Sequence, residues 1–301
     1  GHKVTLVAPE PFAQGAYFGN ACTIATYANI SVATPNTIKQ IPQLLFNPSS
    51  PLSINCTYLL WLTPWLLRFA WASRPSQVEH ISDQLSVLLS HSLGALSPLI
   101  EAAKGQDLVT KNGTLYLYAS EASFIKAKTD IELRRRHGIP VTELTKAKIS
   151  DLEPHLKPIL ERGLWFENAQ HLLSSVDLLK RMGASVIANG GRIITDKALS
   201  IERVSGNKIK VNLQASRVLG TKVVVAACAW SKRLARQMGD IVPLDTKQGY
   251  YVMYKGAEAL LNRPVSRADV GFYITPMNDG LRAAGTVELA GLKKPANPKR
   301  L

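Results

Sequence analysis

The 301-residue chain is 46% hydrophobic and 19% charged, a globular composition that excludes wholesale disorder and gives room for one large or two ordinary domains. Its formal charge of +14 comes from 36 Lys and Arg against 22 Asp and Glu. The basic residues are scattered, apart from Arg134, Arg135 and Arg136 and the tail residues Lys293, Lys294, Lys299 and Arg300; no zinc-finger or RNA-binding signature accompanies them, which argues against nucleic acid.

Three widely spaced cysteines, Cys22, Cys56 and Cys228, form no CxxC and no metal-ligand spacing. This argues against a disulfide framework and fits a reducing, cytoplasmic compartment. Sequons at Asn29, Asn55 and Asn112 stand without a secretory signal and are read as chance.

At the front, Val4, Leu6 and Val7 make a short buried strand, and Gly1-His2 reads as the end of a preceding helix. A loop of small residues follows, through Phe18, Gly19, Asn20 and Ala21. The second strand of a dinucleotide-binding βαβ unit hands over to its cofactor in this way. The glycine-rich turn expected about 20 residues upstream is not in the sequence, so the chain reads as a piece of a flavoenzyme that begins after that turn. The plainer reading is an edge strand with no cofactor.

Residues 31–56 are rich in Pro, Ser and Asn and are expected to be an extended loop. Residues 58–71 are apolar and aromatic but shorter than the roughly 20 residues of a bilayer span, and they hold Pro64 and Arg68. Trp61, Trp65 and Trp71 beside Arg68 suit peripheral contact with a membrane; equally, the stretch reads as a core or interface helix. Helical spacing runs over 76–104 and ends at Gly105, and Asn112-Gly113 between two apolar runs predicts a hairpin of 108–110 with 114–118.

Residues 120–137 read as helical, and a short helix ends before Pro154. Then come a strand at 164–166, a helix 176–188 capped by Ser175, and strands 192–195, 198–204 and 208–213. The continuous apolar run 222–227 predicts a strand covered on both faces. It leads through Cys228 into a helix 230–238, a second strand-to-helix switch of the kind that builds nucleotide sites. Residues 242–254 read as extended, and 272–277 with 281–287 as a hairpin around Asn278, Asp279 and Gly280.

The order and spacing of several short motifs are similar to one family across essentially the whole chain. They are residues 1–7, Phe18-Gly-Asn-Ala21, residues 51–54 with 64–68, Gly113 to Tyr118, Leu152-Glu-Pro154, residues 223–231, Val242-Pro-Leu-Asp-Thr246 with Gly249-Tyr250, Thr275-Pro-Met277 and residues 280–291. The chain resembles the FAD-dependent D-amino-acid dehydrogenase and oxidase family, glycine oxidase relatives included, and within it the small-subunit type of bacterial D-amino-acid dehydrogenase.

The resemblance implies an α/β fold, α+β overall. It would hold a discontinuous Rossmann-like FAD domain at 1–36 and 146–240, lacking its first strand and GxGxxG turn. A mixed, largely antiparallel substrate domain would occupy 37–145 and 241–301. It implies FAD contacts at Val7, Ala8, Glu10, Phe18, Gly19, Asn20, Ala21, Leu199, Ala227, Cys228 and Trp230. Three positions depart from the pattern. Ala8 stands where an acid would bind the adenosine ribose, with Glu10 two residues on; Cys228 stands where glycine is common; Gln248 stands where a basic residue is common.

The activity implied is oxidation of the Cα–N bond of a D-amino acid, with hydride passing to the flavin and the imino acid then hydrolysed. Arg282 is the candidate to fork the substrate carboxylate, and Tyr250, rather than Tyr251 on the opposite strand face, the candidate to face the cavity. His171 is read as structural. The partners implied are an amino-acid substrate and a quinone or other electron acceptor, with a place on the inner face of the cytoplasmic membrane. Alternatives are an oxidase, a dehydrogenase of another amine such as hydroxyproline, sarcosine or glycine, and a non-catalytic piece unable to hold FAD.

Overall fold

The computed structural model describes residues 2–10, 15–46, 52–54, 58–268, 270–292 and 294–300. Gly1 and Cys56 with its sequon lie outside these. The chain begins with β1 (Thr5–Ala8), passes a 3-10 turn (Ala16–Gly19), and continues through β2 (Thr23–Ile24), α1 (Pro35–Phe46), β3 (Leu52–Ile54), α2 (Leu59–Ala72), α3 (Pro75–Ser90) and α4 (Ser92–Ala102). The middle holds β4 (Val109–Thr110), β5 (Thr114–Tyr118), α5 (Glu121–Lys126), α6 (Lys128–Arg136), β6 (Thr142–Thr145), α7 (Lys146–Leu152), β7 (Arg162–Phe166), β8 (Gln170–Leu172) and α8 (Ser175–Ala188). The rest runs β9 (Arg192–Thr195), β10 (Ala198–Val204), β11 (Lys208–Leu213), β12 (Arg217–Gly220), α9 (Ser231–Gln237), β13 (Gln248–Tyr254), β14 (Val265–Arg267), β15 (Phe272–Met277) and β16 (Gly280–Leu289).

The fold is mixed α/β, organised by one eight-stranded sheet in the order β13-β16-β15-β14-β5-β7-β6, with β3 also on β16. Pairs β14–β5 and β16–β3 are parallel and the others antiparallel. Successive strand residues point to opposite faces, and β5 shows what this does. Leu115 and Leu117 enter one core with Leu144, Ile149, Val265 and Leu281. Tyr118 enters the other, with Phe124, Ile131, Leu164, Phe166 and Tyr27. Three smaller sheets, β1-β9, β10-β11-β12 and β2-β8-β4, carry the front of the chain and the segment after β7.

Several expectations meet the structure directly: β9, β10 and β11 have the predicted bounds, and β15 and β16 form the predicted hairpin. Others are corrected. Residues 35–46 are helical, not loop. The helix cap is Ser174, whose Oγ accepts from the Asp177 N–H. The strands β4 and β5 do not pair; β4 joins β8, and β5 lies between β14 and β7. Gly113 keeps the positive φ that its Asn-Gly setting demands, but its N–H goes to Ala169 O. Residues 222–227 form no strand, and Val224 is 89% exposed. A continuous apolar run needs ladder partners on both sides, and β1 pairs only with β9 among the described residues. The strand β7, which a boundary at residue 146 assigns to the first domain, is an inner strand of the large sheet.

The helices α2, α3 and α4 carry many exposed apolar side chains. Trp61, Leu60, Leu67, Trp71, Val87 and Leu88 are all exposed, and Pro75–Ala102 is long and apolar enough to cross a membrane by length and composition.

Candidate active site

Residues 18–22 lie against the large sheet where β13, β16 and β15 adjoin. Pairing sets Thr275 opposite Arg282, and Ala284 opposite Tyr251; strand alternation then puts Thr275, Arg282 and Tyr251 on one face. That face holds the loop. Arg282 Nη1 donates to the carbonyls of Phe18 at 2.9 Å and Asn20 at 3.0 Å, and Thr275 Oγ1 donates to that of Ala21 at 2.9 Å. The Arg282 guanidinium stacks over the Tyr251 ring, 4.8 Å from its centroid. The same ring covers Gly19 so closely that a Cβ there would come within 2.6 Å of Tyr251 Cε1. Cys22 is buried at φ 55, with its N–H on Asn20 Oδ1 at 2.8 Å.

A bulge at Gly285 decides which side chains reach this loop. The β13–β16 register passes from Tyr250–Thr286 to Tyr251–Ala284, skipping Gly285. Its φ is +157° and a Cβ would lie 2.5 Å from Phe272 Cα, so only glycine fits. The bulge reverses the alternation: Arg282 and Ala284 face the loop with Tyr251, whereas Thr286 and Glu288 share the other face with Tyr250.

Tyr250, the candidate to face a cavity, therefore lies on the face away from the loop. It is buried on the far side, where its hydroxyl donates to Glu288 Oε2 at 2.9 Å and accepts from the Asn297 N–H at 3.0 Å. Burial raises the Glu288 carboxyl, but hydrogen bonds from Lys294 and Tyr250 outweigh it and hold the group below its ordinary value. Arg282 also differs from expectation. It is 4% exposed and gives Nη1 to two loop carbonyls instead of presenting that edge to a cavity.

The remaining cofactor candidates are spread out. Val7 and Ala8 are half-buried at the end of β1, and Ala8 O accepts from the Asp196 N–H at 2.8 Å. Glu10 is exposed. Leu199 is exposed at an irregularity of β10, in a different sheet from β1. Ala227 donates its N–H to Ser231 Oγ at 3.1 Å, Cys228 takes φ 46 and Trp230 is exposed. That positive φ is a reason for glycine at position 228 that the sequence alone did not supply. The adjacent Ala229 and Lys232 line a cleft of about 630 Å³ with Tyr58, Asp245, Thr246 and Gly291. The structure thus joins Phe18 and Asn20 to Arg282, Ala21 to Thr275 and Gly19 to the Tyr251 ring. It places the Cys228 region beside a cleft beyond the other end of β16.

Sequence reasoning passed over three features near the loop. Thr275 lay inside a quoted motif but was assigned no role, and Tyr251 was set aside. Tyr27, Tyr116 and Tyr273 cluster on the loop face of the sheet, with the Tyr116 and Tyr273 hydroxyls bonded to each other. Burial pushes all three hydroxyls up, so they stay protonated. His171 on β8, between β2 and β4, is 1% exposed, and neither ring nitrogen has a partner among the described residues. Burial lowers its pKa to about 4.

The loop leaves one donor for a bound cofactor: its carbonyls face the sheet, and the Ala21 N–H has no partner among the described residues. The adenosine end is less complete, since Ala8 brings no carboxylate for a ribose.

The family model described as DAO, FAD dependent oxidoreductase, matches residues 1–301. A D-amino-acid oxidase of Bradyrhizobium diazoefficiens is 32% identical over 308 residues, covering 100% of this chain and 72% of the relative. A D-amino acid dehydrogenase of Dechloromonas aromatica is 26% identical over 333 residues, covering 100% and 74%. Among solved structures, glycine oxidase from Bacillus cereus superposes with a TM-score of 0.66 at 19% identity, covering 100% of this chain and 69% of that one. Glycine oxidase from Geobacillus kaustophilus gives 0.65 at 18%, covering 99% and 68%. These structures share the fold; the match along the whole sequence makes the chain a member of the DAO family of FAD-dependent oxidoreductases.

Proposed function

We propose that the protein oxidises the Cα–N bond of a D-amino acid. The observation that carries this reading is the 32% identity with a D-amino-acid oxidase over the full length of the chain. FAD supplies the two-electron acceptor chemistry when bound. The substrate loses a hydride and a proton, and water hydrolyses the resulting imino acid to a 2-oxo acid and ammonium. The residues that would hold the ring are Phe18, Gly19, Asn20 and Ala21, backed by Arg282, Thr275 and Tyr251. The protein is expected to purify with flavin absorbance and to reduce an artificial dye with D-amino acids but not with their L-enantiomers. Absence of flavin, or turnover indifferent to the enantiomer, would overturn the reading.

The exposed layer of α2, α3 and α4 supports peripheral contact with a membrane that houses a quinone acceptor. Leu60, Trp61, Leu67 and Trp71 are 85%, 79%, 68% and 52% exposed, with Arg68 and Arg74 alongside to meet anionic headgroups. Vesicles containing anionic lipid are expected to sediment the protein. Replacing Trp61, Leu67 and Trp71 together by Ser is expected to weaken this by more than about tenfold. Equal sedimentation of the two proteins would sink the assignment.

A further inference from the structure

We infer that Arg282, with Thr275 and Tyr251, is a positioning residue that sets the conformation of the 18–22 loop, and is not the residue that binds the substrate carboxylate. The inference rests on the flavin reading of the loop only for its consequence, not for the clamp itself.

Three of the four carbonyls from Phe18 to Ala21 are bound by side chains of the sheet, two by one nitrogen of Arg282 and one by the hydroxyl of Thr275. In a planar trans peptide the N–H points opposite to the C=O of the same unit. Turning the carbonyls of Asn20 and Ala21 into the sheet therefore turns the N–H groups of Ala21 and Cys22 off it. Asn20 Oδ1 takes up the Cys22 N–H, while the Ala21 N–H has no partner among the described residues. The clamp thus converts a flexible run of small residues into a fixed donor, the form in which a loop is useful to a bound ring.

The charge has no other employment in view. Arg282 makes no ion pair with a carboxylate among the described residues, and its Nε there has no partner. A buried guanidinium without a counter-ion is costly. Here the loop carbonyls and the face of Tyr251 solvate it. Regular pairing of Tyr251 with Ala284 and Met253 with Arg282 sets Arg282 and Tyr251 on the same face, and the bulge at Gly285 turns Thr286 and Glu288 to the other.

Cys22 provides a readout that needs no cofactor. It is buried within the loop, 3.9 Å from Arg282 Nη1, whereas Cys228 is exposed. With Cys56 and Cys228 both replaced by Ser in every protein compared, Cys22 is the only thiol. Arg282→Met is expected to speed its labelling by a thiol reagent, and to weaken FAD binding, by at least about tenfold each. Arg282→Lys should fall between the two, and Thr275→Val should show a smaller change of the same sign. Should Arg282→Met fail to fold, the labelling rate in Thr275→Val decides. Unchanged Cys22 labelling overturns the clamp, as does a raised KM for the amino acid at unchanged FAD affinity, the signature of a substrate-binding arginine. If no protein in the series retains FAD yet Cys22 labelling still responds, the clamp stands and the flavin reading fails.

Discussion

Replacing Arg263 by Met is expected to destabilise the protein by about 3–5 kcal/mol, the cost of stranding a buried charge. Glu153 follows α7 and is fully buried. Its Oε1 accepts from Arg263 Nε at 2.8 Å and its Oε2 from the Asn262 N–H at 2.9 Å. Arg263 Nη1 also donates to Asn112 O at 3.1 Å, and the guanidinium lies over Trp165. One ion pair therefore ties the end of α7, the turn before β5 and the approach to β14. Burial already raises the Glu153 carboxyl, against hydrogen bonds from Asn262 and Arg263 that lower it.

Removing Arg263 deletes its share of the opposing interactions, leaving only those of Asn262, and the carboxylate then holds its proton more strongly. The loss should thus shrink as pH falls toward the raised pKa. Glu153→Gln added to Arg263→Met should restore most of the stability, since a neutral amide can keep the Asn262 contact without a buried charge. Urea unfolding of the two single variants and the double variant measures this as a cycle. A loss below about 1 kcal/mol for Arg263→Met, typical of an exposed pair, would show that the pair contributes no more than a surface one.

The same contrast between local and distant information explains what the sequence revealed. Strands such as β10 and β11 are legible because each pairs with the next segment along the chain, and β15 and β16 for the same reason. Partner choice is not local. Asn112-Gly113 has a hairpin's turn chemistry, yet Val109 pairs with Leu172 and Leu115 with Trp165, far along the chain. The apolar run 222–227 carries a strand's composition but has no strand partner among the described residues.

In the site, the family motif led to the loop and to the Arg282 strand. It could not say which of Tyr250 and Tyr251 faces inward, because one glycine with φ +157° inverts the alternation between Arg282 and Glu288. Nor could composition show that Arg282 lies under the loop, since a guanidinium suits backbone carbonyls and carboxylates alike.

His171 should make stability depend on pH in a way that one substitution removes. It sits on β8, the strand between β2 and β4, and its ring is buried beside a cleft of about 420 Å³ that Thr110, Glu258, Met277 and Asn278 also line. Burial depresses the pKa from 6.5 to about 4. The folded protein therefore keeps the ring neutral where the unfolded chain protonates it. The sign follows: stability is full above pH 6.5, falls as pH drops through the window from 6.5 to about 4, and the loss is complete below. A shift of this size corresponds to about 3 kcal/mol.

His171→Leu keeps similar volume and removes both orphaned ring nitrogens. At pH 7 it should be within about 1 kcal/mol of the parent protein, or more stable, because an unpaired buried polar group is removed. At pH 4.5 it should be the more stable of the two by about 2 kcal/mol or more. The other five histidines are the same in both proteins, so the difference between the two unfolding curves isolates position 171. Parallel pH profiles for parent and His171→Leu would mean that the ring is reached by water or a proton donor in solution. The strands β2, β8 and β4 would then open far more readily than their packing implies.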